Sequence, residues 1–408
     1  MKTKPMNVAE MMSVETVRET LLAQLGQPLS IEMCALEQAQ GRVLAQDLVS
    51  GIQVPGFDNS AMDGYALNWQ EGDGIVWPVV QRIAAGEVGS PLARGQAARI
   101  FTGAPIPQGC TVVVPQEQVV QQQDESIKLT ASVRSGQHIR RAGEDIEAGQ
   151  CILNAGTHLQ ARHLGFVASV GIAQVPVYRR LRIGVFFTGD ELVEPGVSLR
   201  PGTIYNSNRY ALGALLRNLG ASVQDYGVVS DDVQALTAVL QQASEDCDVL
   251  ITSGGVSVGE EDHVKTVVAQ LGRIDLWKVA MKPGKPFVFG QIGQANFIGL
   301  PGNPVSAFVT FVLLARPFLK AKQGYTDVMP LSLRIPAAFE WSRLGRQREF
   351  VRVAAQIDEQ GHLQAVLSSQ NQGSGVTTSV AQADGLVDIP AQTEIAPGDL
   401  VTFIPFDR

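Results

Sequence analysis

The sequence predicts a multidomain α/β protein. A central parallel-sheet α/β domain carries the ligand mouth, with a β-rich second domain, a split linker domain and a small C-terminal β-barrel domain around it. Three observations lead there. Residues 249–252 (Val-Leu-Ile-Thr) are a short β-branched run, hence a buried strand, and Ser253-Gly254-Gly255 behind them lets the backbone turn and lie close to a ligand. From Arg182 onward strand and helix patterns alternate, as in a parallel sheet. Before and after that stretch, short strands split by glycine and proline read as β domains.

The elements follow in order. Ser13 can cap a helix that puts Val14, Val17, Leu21, Leu22 and Leu25 on one face and stops at Gly26. A second short helix ends at Gly41, and 42–49 reads as a strand. Residues 1–50 and 147–178 are expected to pack together as the split domain. The β-rich domain spans 51–146 and opens on 57–66, Phe-Asp-Asn-Ser-Ala-Met-Asp-Gly-Tyr-Ala. Asp63-Gly64 suits a hairpin turn; the two aspartates could equally face a ligand.

The α/β domain spans 179–325. Strand 182–187 leads into Thr188-Gly189-Asp190-Glu191, followed by a helix over 208–219. Strand 223–229 leads into Ser230-Asp231-Asp232 and a helix with Leu236, Val239 and Leu240 inward. A helix starting near Asp262 carries Val264, Val267, Val268 and Leu271, and Gly272 can end it. Residues 278–281, 287–289 and 296–299 read as strands, and Pro304 sits in the first turn of the next helix. The last domain, 326–408, has strands at 350–353, 363–367, 385–389 and 400–404, in a closed or sandwich-like arrangement.

Composition narrows the function. Net charge is −8 and pI about 5.3, against a nucleic-acid partner, which wants a basic face. No secretory signal is expected after Met1-Lys2-Thr3-Lys4-Pro5, and no run reaches the roughly 18 apolar residues of a membrane span. The most apolar stretch, 307–319, is interrupted by Arg316 and Pro317. Cys34, Cys110, Cys151 and Cys247 form no CxxC pair and read as reduced and buried, so cytoplasmic. His158 and His163 lack a cysteine pair to complete a zinc site and read as structural.

Three strands of the central domain end in acids: Asp190/Glu191, Asp231/Asp232 and Glu260/Glu261/Asp262. In a parallel sheet these ends share one edge, where such folds bind ligands. Charge at helix N-termini explains any one of them. Three converging sets suit a cation better, because two carboxylates about 4 Å apart repel by roughly 4 kcal/mol at an effective dielectric of 20. Oxygen donors without a His/Cys cluster favour Mg²⁺. Lys278 and the Lys282-Pro283-Gly284-Lys285-Pro286 loop bring positive charge, and Pro301-Gly302-Asn303-Pro304 enters a helix N-terminus that can seat an anion. These features fit a Mg²⁺-bound phosphorylated ligand. No P-loop, no GxGxxG after a strand and no GxSxG elbow is present.

Taken together, FDNSAMDGYA (57–66), FTGAP (101–105), GEDI (143–146), TGDEL (188–192), TSGGVSVGEEDH (252–263), KPGKP (282–286), GLPGNPVSA (299–307) and QGSG (372–375) resemble the molybdopterin molybdenumtransferase family, related to the E domain of gephyrin-type proteins. The motifs occur in family order across nearly the whole chain. The resemblance implies insertion of molybdate into adenylated molybdopterin with Mg²⁺ and release of AMP. It implies that Glu191, Asp231 and Asp262 line the Mg²⁺ and adenylate end, with Thr188, Gly189, Asp190, Ser253, Gly254 and Gly255 at the nucleotide. Lys278, Lys282 and Lys285 would neutralise phosphate and molybdate, Pro301, Pro304 and Ser306 would shape the pocket, and Ser374 would approach molybdate. Asp63 and Asp145 would reach the partner's cleft in a homodimer with composite sites. The molybdopterin adenylyltransferase is a further partner it suggests. Phe187 departs from the Ser or Pro common before TGDEL, and Arg346 and Arg348 both stand as candidates for the oxyanion-contacting arginine. The sister adenylylation reaction needs only the central domain, as do nucleotide-amide hydrolases, and a gephyrin-like scaffold would add a domain and a long linker.

Overall fold

The computed structural model describes residues 11–255 and 263–406. Its centre is a six-stranded sheet in the order Ser222–Val229, Arg182–Thr188, Val249–Ser253, Ala295–Leu300, Pro286–Ile292, Gly272–Lys278. The first four strands are parallel and the last two antiparallel, so the expected parallel sheet is a mixed one. Helices bury their apolar stripes on both faces: Leu216, Phe311 and Phe318 on one, Leu236, Leu240, Val264 and Val267 on the other. Helix Ser207–Asn218 and strand Ser222–Val229 lie within a residue of expectation.

The strand expected at 278–281 lies earlier, at Gly272–Lys278, directly after helix His263–Leu271. Gly272 does not serve as a helix-ending turn residue. It pairs with Ile292, and a Cβ there would sit 1.9 Å from the Gln291 carbonyl oxygen, so only glycine lets the two chains approach.

The apolar stretch near 307–319 is not broken. Helix Pro304–Thr310, a π-turn at Phe311–Ala315 and helix Arg316–Lys322 form one helical run. Pro317 cannot donate to the Leu313 carbonyl one turn back, and Arg18 Nε, from helix Val14–Leu22, donates to that oxygen at 2.6 Å instead. This run is long and apolar enough to cross a membrane by length and composition, but 78% of its apolar window is buried inside the protein, the signature of a core helix.

The N-terminal segment is stitched to residues 151–178: Ile31–Ala35 pairs with Gln174–Tyr178, and Leu48–Val49 with Cys151–Leu153. The strand expected at 42–49 shrinks to Leu48–Val49 plus single bridges at Val43 and Leu44. All four cysteines are free, but Cys151 is exposed and Cys110 only partly buried, against the expectation that all four are buried. His158 stacks on Tyr325 at 5.1 Å, and His163 Nδ1 contacts the His158 carbonyl, both structural uses.

The second domain is a sheet whose strand Gly64–Leu67 runs between Ala97–Ile100 and Val112–Pro115. Gly64 therefore starts a central strand rather than closing a hairpin turn. A Cβ on it would lie 2.0 Å from the Val114 carbonyl oxygen, so the glycine serves close strand approach. The C-terminal domain orders Met281–Lys282, Arg348–Ile357, Gly385–Ile389, Leu400–Pro405 and Leu333–Pro336, with Leu363–Leu367 on Arg348–Ile357. An Ala337–Ala365 bridge brings its ends together.

Gly64→Ala is expected to destabilise the second domain by about 1–3 kcal/mol, since a methyl group is forced into a packed strand. Urea unfolding followed by Trp77, which is buried in that domain, measures it; an unchanged midpoint would contradict the close-approach role.

Candidate active site

Strand Arg182–Thr188 has Ser222–Val229 on one side and Val249–Ser253 on the other. The chain leaves the first strand in one direction and returns on its far side, which opens a crevice between the carboxyl ends of Arg182–Thr188 and Val249–Ser253. Thr188 and Ser253-Gly254-Gly255 flank it. The Thr188 hydroxyl is buried and has no hydrogen-bond partner among the described residues, and a Cβ on Gly255 would lie 2.9 Å from Thr188 Cγ2. Gly254 and Gly255 have φ of +102° and +60°, so glycine serves the turn as well as the approach.

Glu191 folds back over Gly189, whose φ is +144°; a Cβ there would stand 2.6 Å from Glu191 Oε2. Asp190, Glu191 and Asp231 are exposed and make no side-chain hydrogen bond or ion pair among the described residues. Asp232 has a different job. It caps helix Val233–Asp246, accepting from Gln234 N and Ala235 N at 2.9 Å. Asp262 lies outside the described residues, as do Glu260 and Glu261. Among the described residues no three His, Cys, Asp or Glu side chains cluster closely enough to hold a metal.

The lysine loop is fixed at both ends. Val279 N donates to Lys285 O at 2.8 Å, and Met281–Lys282 joins the C-terminal sheet beside Arg348–Glu349. Lys282 Nζ donates to Glu349 Oε1 at 3.2 Å, so part of its charge is already balanced. Lys278 is half-buried and Lys285 is exposed. A Cβ on Gly284 would meet Thr310 Oγ1 at 2.2 Å, which seats the loop on the helix after Pro304.

The anion seat at that helix is narrower than expected. Pro304 has no N–H, Val305 N donates to Ser374 O at 3.1 Å, and Ala307 N donates to Asn303 O at 2.9 Å. Ser306 N–H is the first-turn donor that remains among the described residues, and Ser306 itself is buried. Asn303 Nδ2 also donates to Ser374 Oγ at 3.3 Å, so Ser374 from the C-terminal domain stands at this helix start.

Of the two arginine candidates, Arg348 is bound to Asp388 and Glu15, which hold its guanidinium strongly protonated, and Arg346 is exposed. The sequence reading passed over Arg352. Its side chain is 1% exposed and holds the 372–375 loop: Nη2 donates to Gly373 O at 3.2 Å and Nε to Ser379 Oγ at 3.1 Å, while Gln372 Oε1 accepts from Arg352 N at 2.8 Å. Burial pushes the guanidinium down to about 10. The signal in the sequence was an arginine at an inward position of the run Phe350-Val351-Arg352-Val353.

Asp63 and Asp145 lie in the second domain. Among the described residues no hydrogen bond or ion pair joins their loops to the central crevice. Asp63 Oδ1 accepts from both Thr102 N and Thr102 Oγ1 at 2.8 Å, tying 57–66 to FTGAP. Asp58 accepts from Arg141 and Ala142 N, tying the same segment to the loop before GEDI. Asp145 is exposed, with its backbone N–H on Val54 O.

An α/β ligand-binding module at a strand switch point, with a β-barrel docked on its helix start, defines a multidomain α/β enzyme class. The comparisons place it further. Residues 12–171 match the profile "MoeA N-terminal region (domain I and II)", 184–321 "Probable molybdopterin binding domain" and 334–406 "MoeA C-terminal region (domain IV)". The chain is 38% identical to the molybdopterin molybdenumtransferase of Haemophilus influenzae over 98% of its length and 99% of that protein. It is 39% identical to molybdopterin molybdenumtransferase 2 of Mycobacterium tuberculosis, over 89% of this chain and 92% of that one. A crystal structure of the molybdopterin biosynthesis MoeA protein from Pyrococcus horikoshii superposes with a TM-score of 0.78 at 30% identity, covering 97% of this chain and 99% of that one. The chain belongs to the MoeA family of molybdopterin molybdenumtransferases, a family of transferase enzymes.

The Thr102 N–H, and after it the Thr102 hydroxyl, hold the Asp63 carboxyl below the usual carboxylate range. The stabilisation this brings is complete above the ordinary pKa and is lost as pH falls through the lowered one. Thr102→Val is expected to raise the Asp63 pKa part of the way, because the backbone donor stays. An NMR pH titration of Asp63 reads this, and an identical titration in the variant would refute it.

Proposed function

We propose that the protein is a molybdenum insertase of molybdenum cofactor biosynthesis: with Mg²⁺, it inserts molybdate into adenylated molybdopterin and releases AMP. The observation that carries this reading is one sheet edge that gathers a Thr188 hydroxyl and carboxylates at Glu191 and Asp231 without partners among the described residues, two glycine turns and the lysine loop. Family membership supports it. Adenylylation alone would not call for a C-terminal domain whose Ser374 stands at the crevice helix.

Glu191 and Asp231 suit Mg²⁺ in kind: exposed oxygen donors on neighbouring strand ends, free of other partners among the described residues. With Asp262 they would complete a three-carboxylate set. The ion would supply charge neutralisation on the phosphoanhydride. Thr188 and the Ser253–Gly255 backbone would hold the nucleotide phosphate. Lys278, Lys282 and Lys285 would offset charge on the terminal phosphate and on molybdate, the second substrate, with Arg352 holding Ser374 in position toward it. Water would cleave the phosphoanhydride P–O bond, so that AMP leaves and the other phosphate stays on the pterin, while two Mo–S bonds form on the dithiolene as one molybdate oxygen leaves with two protons as water, with no change of oxidation state.

Asp63 and Asp145 complete the reading only if a second copy brings them. A homodimer with composite sites follows, each crevice receiving the second domain of its partner. Four unpaired cysteines agree with a cytoplasmic setting.

AMP release from adenylated molybdopterin, with and without molybdate and Mg²⁺, tests the activity. Release that requires both, with metal retained on the pterin, is expected; tight binding without turnover would replace an insertase with a scaffold. Asp262→Asn is expected to keep the fold and lose Mg²⁺-dependent release. Mixing Asp63→Asn with Asp262→Asn subunits is expected to restore about a quarter of wild-type activity, since half the dimers carry one intact site. No recovery after confirmed subunit exchange would reject shared sites.

A further inference from the structure

The ladder between Val249–Ser253 and Ala295–Leu300 ends at the Ser253–Leu300 pair, with one last bond from Gly254 N to Leu300 O at 3.1 Å. Beyond it no strand pairing joins the two segments among the described residues. Yet the Ser253–Gly255 and Pro301–Asn303 loops stay close: a Cβ on Gly302 would lie 3.6 Å from Gly254 Cα. Two side chains, Asn208 and Ser253, span the gap. Asn208 Nδ2 donates to Ser253 Oγ at 2.6 Å and to Gly302 O at 2.7 Å, and the buried Ser253 hydroxyl donates onward to Pro301 O at 2.9 Å. The carbonyl partner sets the orientation of the amide, since Gly302 O can only accept.

Asn208 is itself held. It lies in the first turn of helix Ser207–Asn218, capped by Asn206, whose Oδ1 accepts from Arg209 N. Arg209 binds Asp225 Oδ2 at 2.7 Å and Glu194 Oε1 at 2.9 Å, anchoring that turn to the edge strand and to the strap that follows Glu191. Tyr210 adds a bond to Glu194 Oε2 at 3.0 Å. The helix start is a fixed base from which one amide reaches both loops.

We propose that Asn208 is a positioning residue: its two amide protons lock the Ser253–Gly255 and Pro301–Asn303 loops into one continuous wall that grips the phosphate end of the substrate. The proposal rests on the insertase reading for the identity of that substrate. The locking itself does not depend on it. Asn208 touches no reacting atom; it acts through Ser253 and Gly302.

Asn208→Asp keeps the size of the side chain and removes both donors, and hydrogen–deuterium exchange reads the loops directly. Exchange in peptides covering 249–255 and 300–306 is expected to speed up about ten-fold, with the core of helix Ser207–Asn218 unchanged. In AMP-release kinetics, KM for adenylated molybdopterin is expected to rise about ten-fold while kcat falls less. Ser253→Ala, which loses the bonds to Asn208 and Pro301 but leaves the Gly302 bond, is expected to keep Gly302 slower to exchange than Asn208→Asp does. If Asn208→Asp does not fold, Asn208→Ala carries the same measurements. Unchanged loop exchange would overturn the proposal, and so would exchange that rises equally along the whole helix. A KM that stays put while loop exchange rises would overturn the substrate-gripping half. Wild-type protein that releases no AMP would remove the insertase reading and leave the exchange result to judge the lock.

Discussion

The register of four neighbouring parallel strands sets where the central crevice lies. Ile183 pairs with Val249 and Val249 with Asn296, so the strands reach their carboxyl ends together, at Thr188, Val229, Ser253 and Leu300. Whatever follows those residues must share one edge. A one-residue slip would flip each strand's side chains to the other face and turn the buried Val249, Ile251 and Ile298 away from their core. The apolar packing on both faces therefore holds the polar crevice in place.

Much of this was legible before any coordinates. Glycine after a β-branched run marked Gly254 and Gly255, because a strand end that must turn and leave room shows itself locally. Glycines with a nonlocal cause were misread. Gly64 and Gly272 look like a turn and a helix end by their neighbours in sequence, but each is glycine because of a carbonyl on another strand, Val114 and Gln291. Pro317 misled in the same way. It reads as a break until Arg18, 295 residues away from Leu313 in sequence, is seen satisfying the carbonyl the proline leaves free. Among the acids, Asp231 and Asp232 are adjacent and chemically identical, and only the helix start tells the cap from the free carboxylate.

The C-terminal barrel belongs to the crevice as much as the central sheet does. Met281–Lys282 is an edge strand of the barrel and also the start of the lysine loop, so the loop cannot move without disturbing the barrel ladder. Ser374 takes the Val305 N–H through its carbonyl and the Asn303 amide through its hydroxyl. The helix start is thereby partly filled by protein, which leaves the Ser306 N–H as its first-turn donor among the described residues rather than a full ring of free amides.

Arg352 shows why that docking is worth its cost. A guanidinium buried among neutral hydrogen-bond acceptors is expensive, and burial pulls its pKa down despite the nearby Glu349 charge. A Leu or Met would fill the space more cheaply. What an apolar residue could not do is donate to the Gly373 carbonyl and the Ser379 hydroxyl while its own backbone holds Gln372. Those bonds fix a loop that glycines at 373 and 375 would otherwise leave free to vary, and Ser374 lies between them. The barrel thus carries a buried cation whose bonds hold Ser374 at one place against the start of helix Pro304–Thr310.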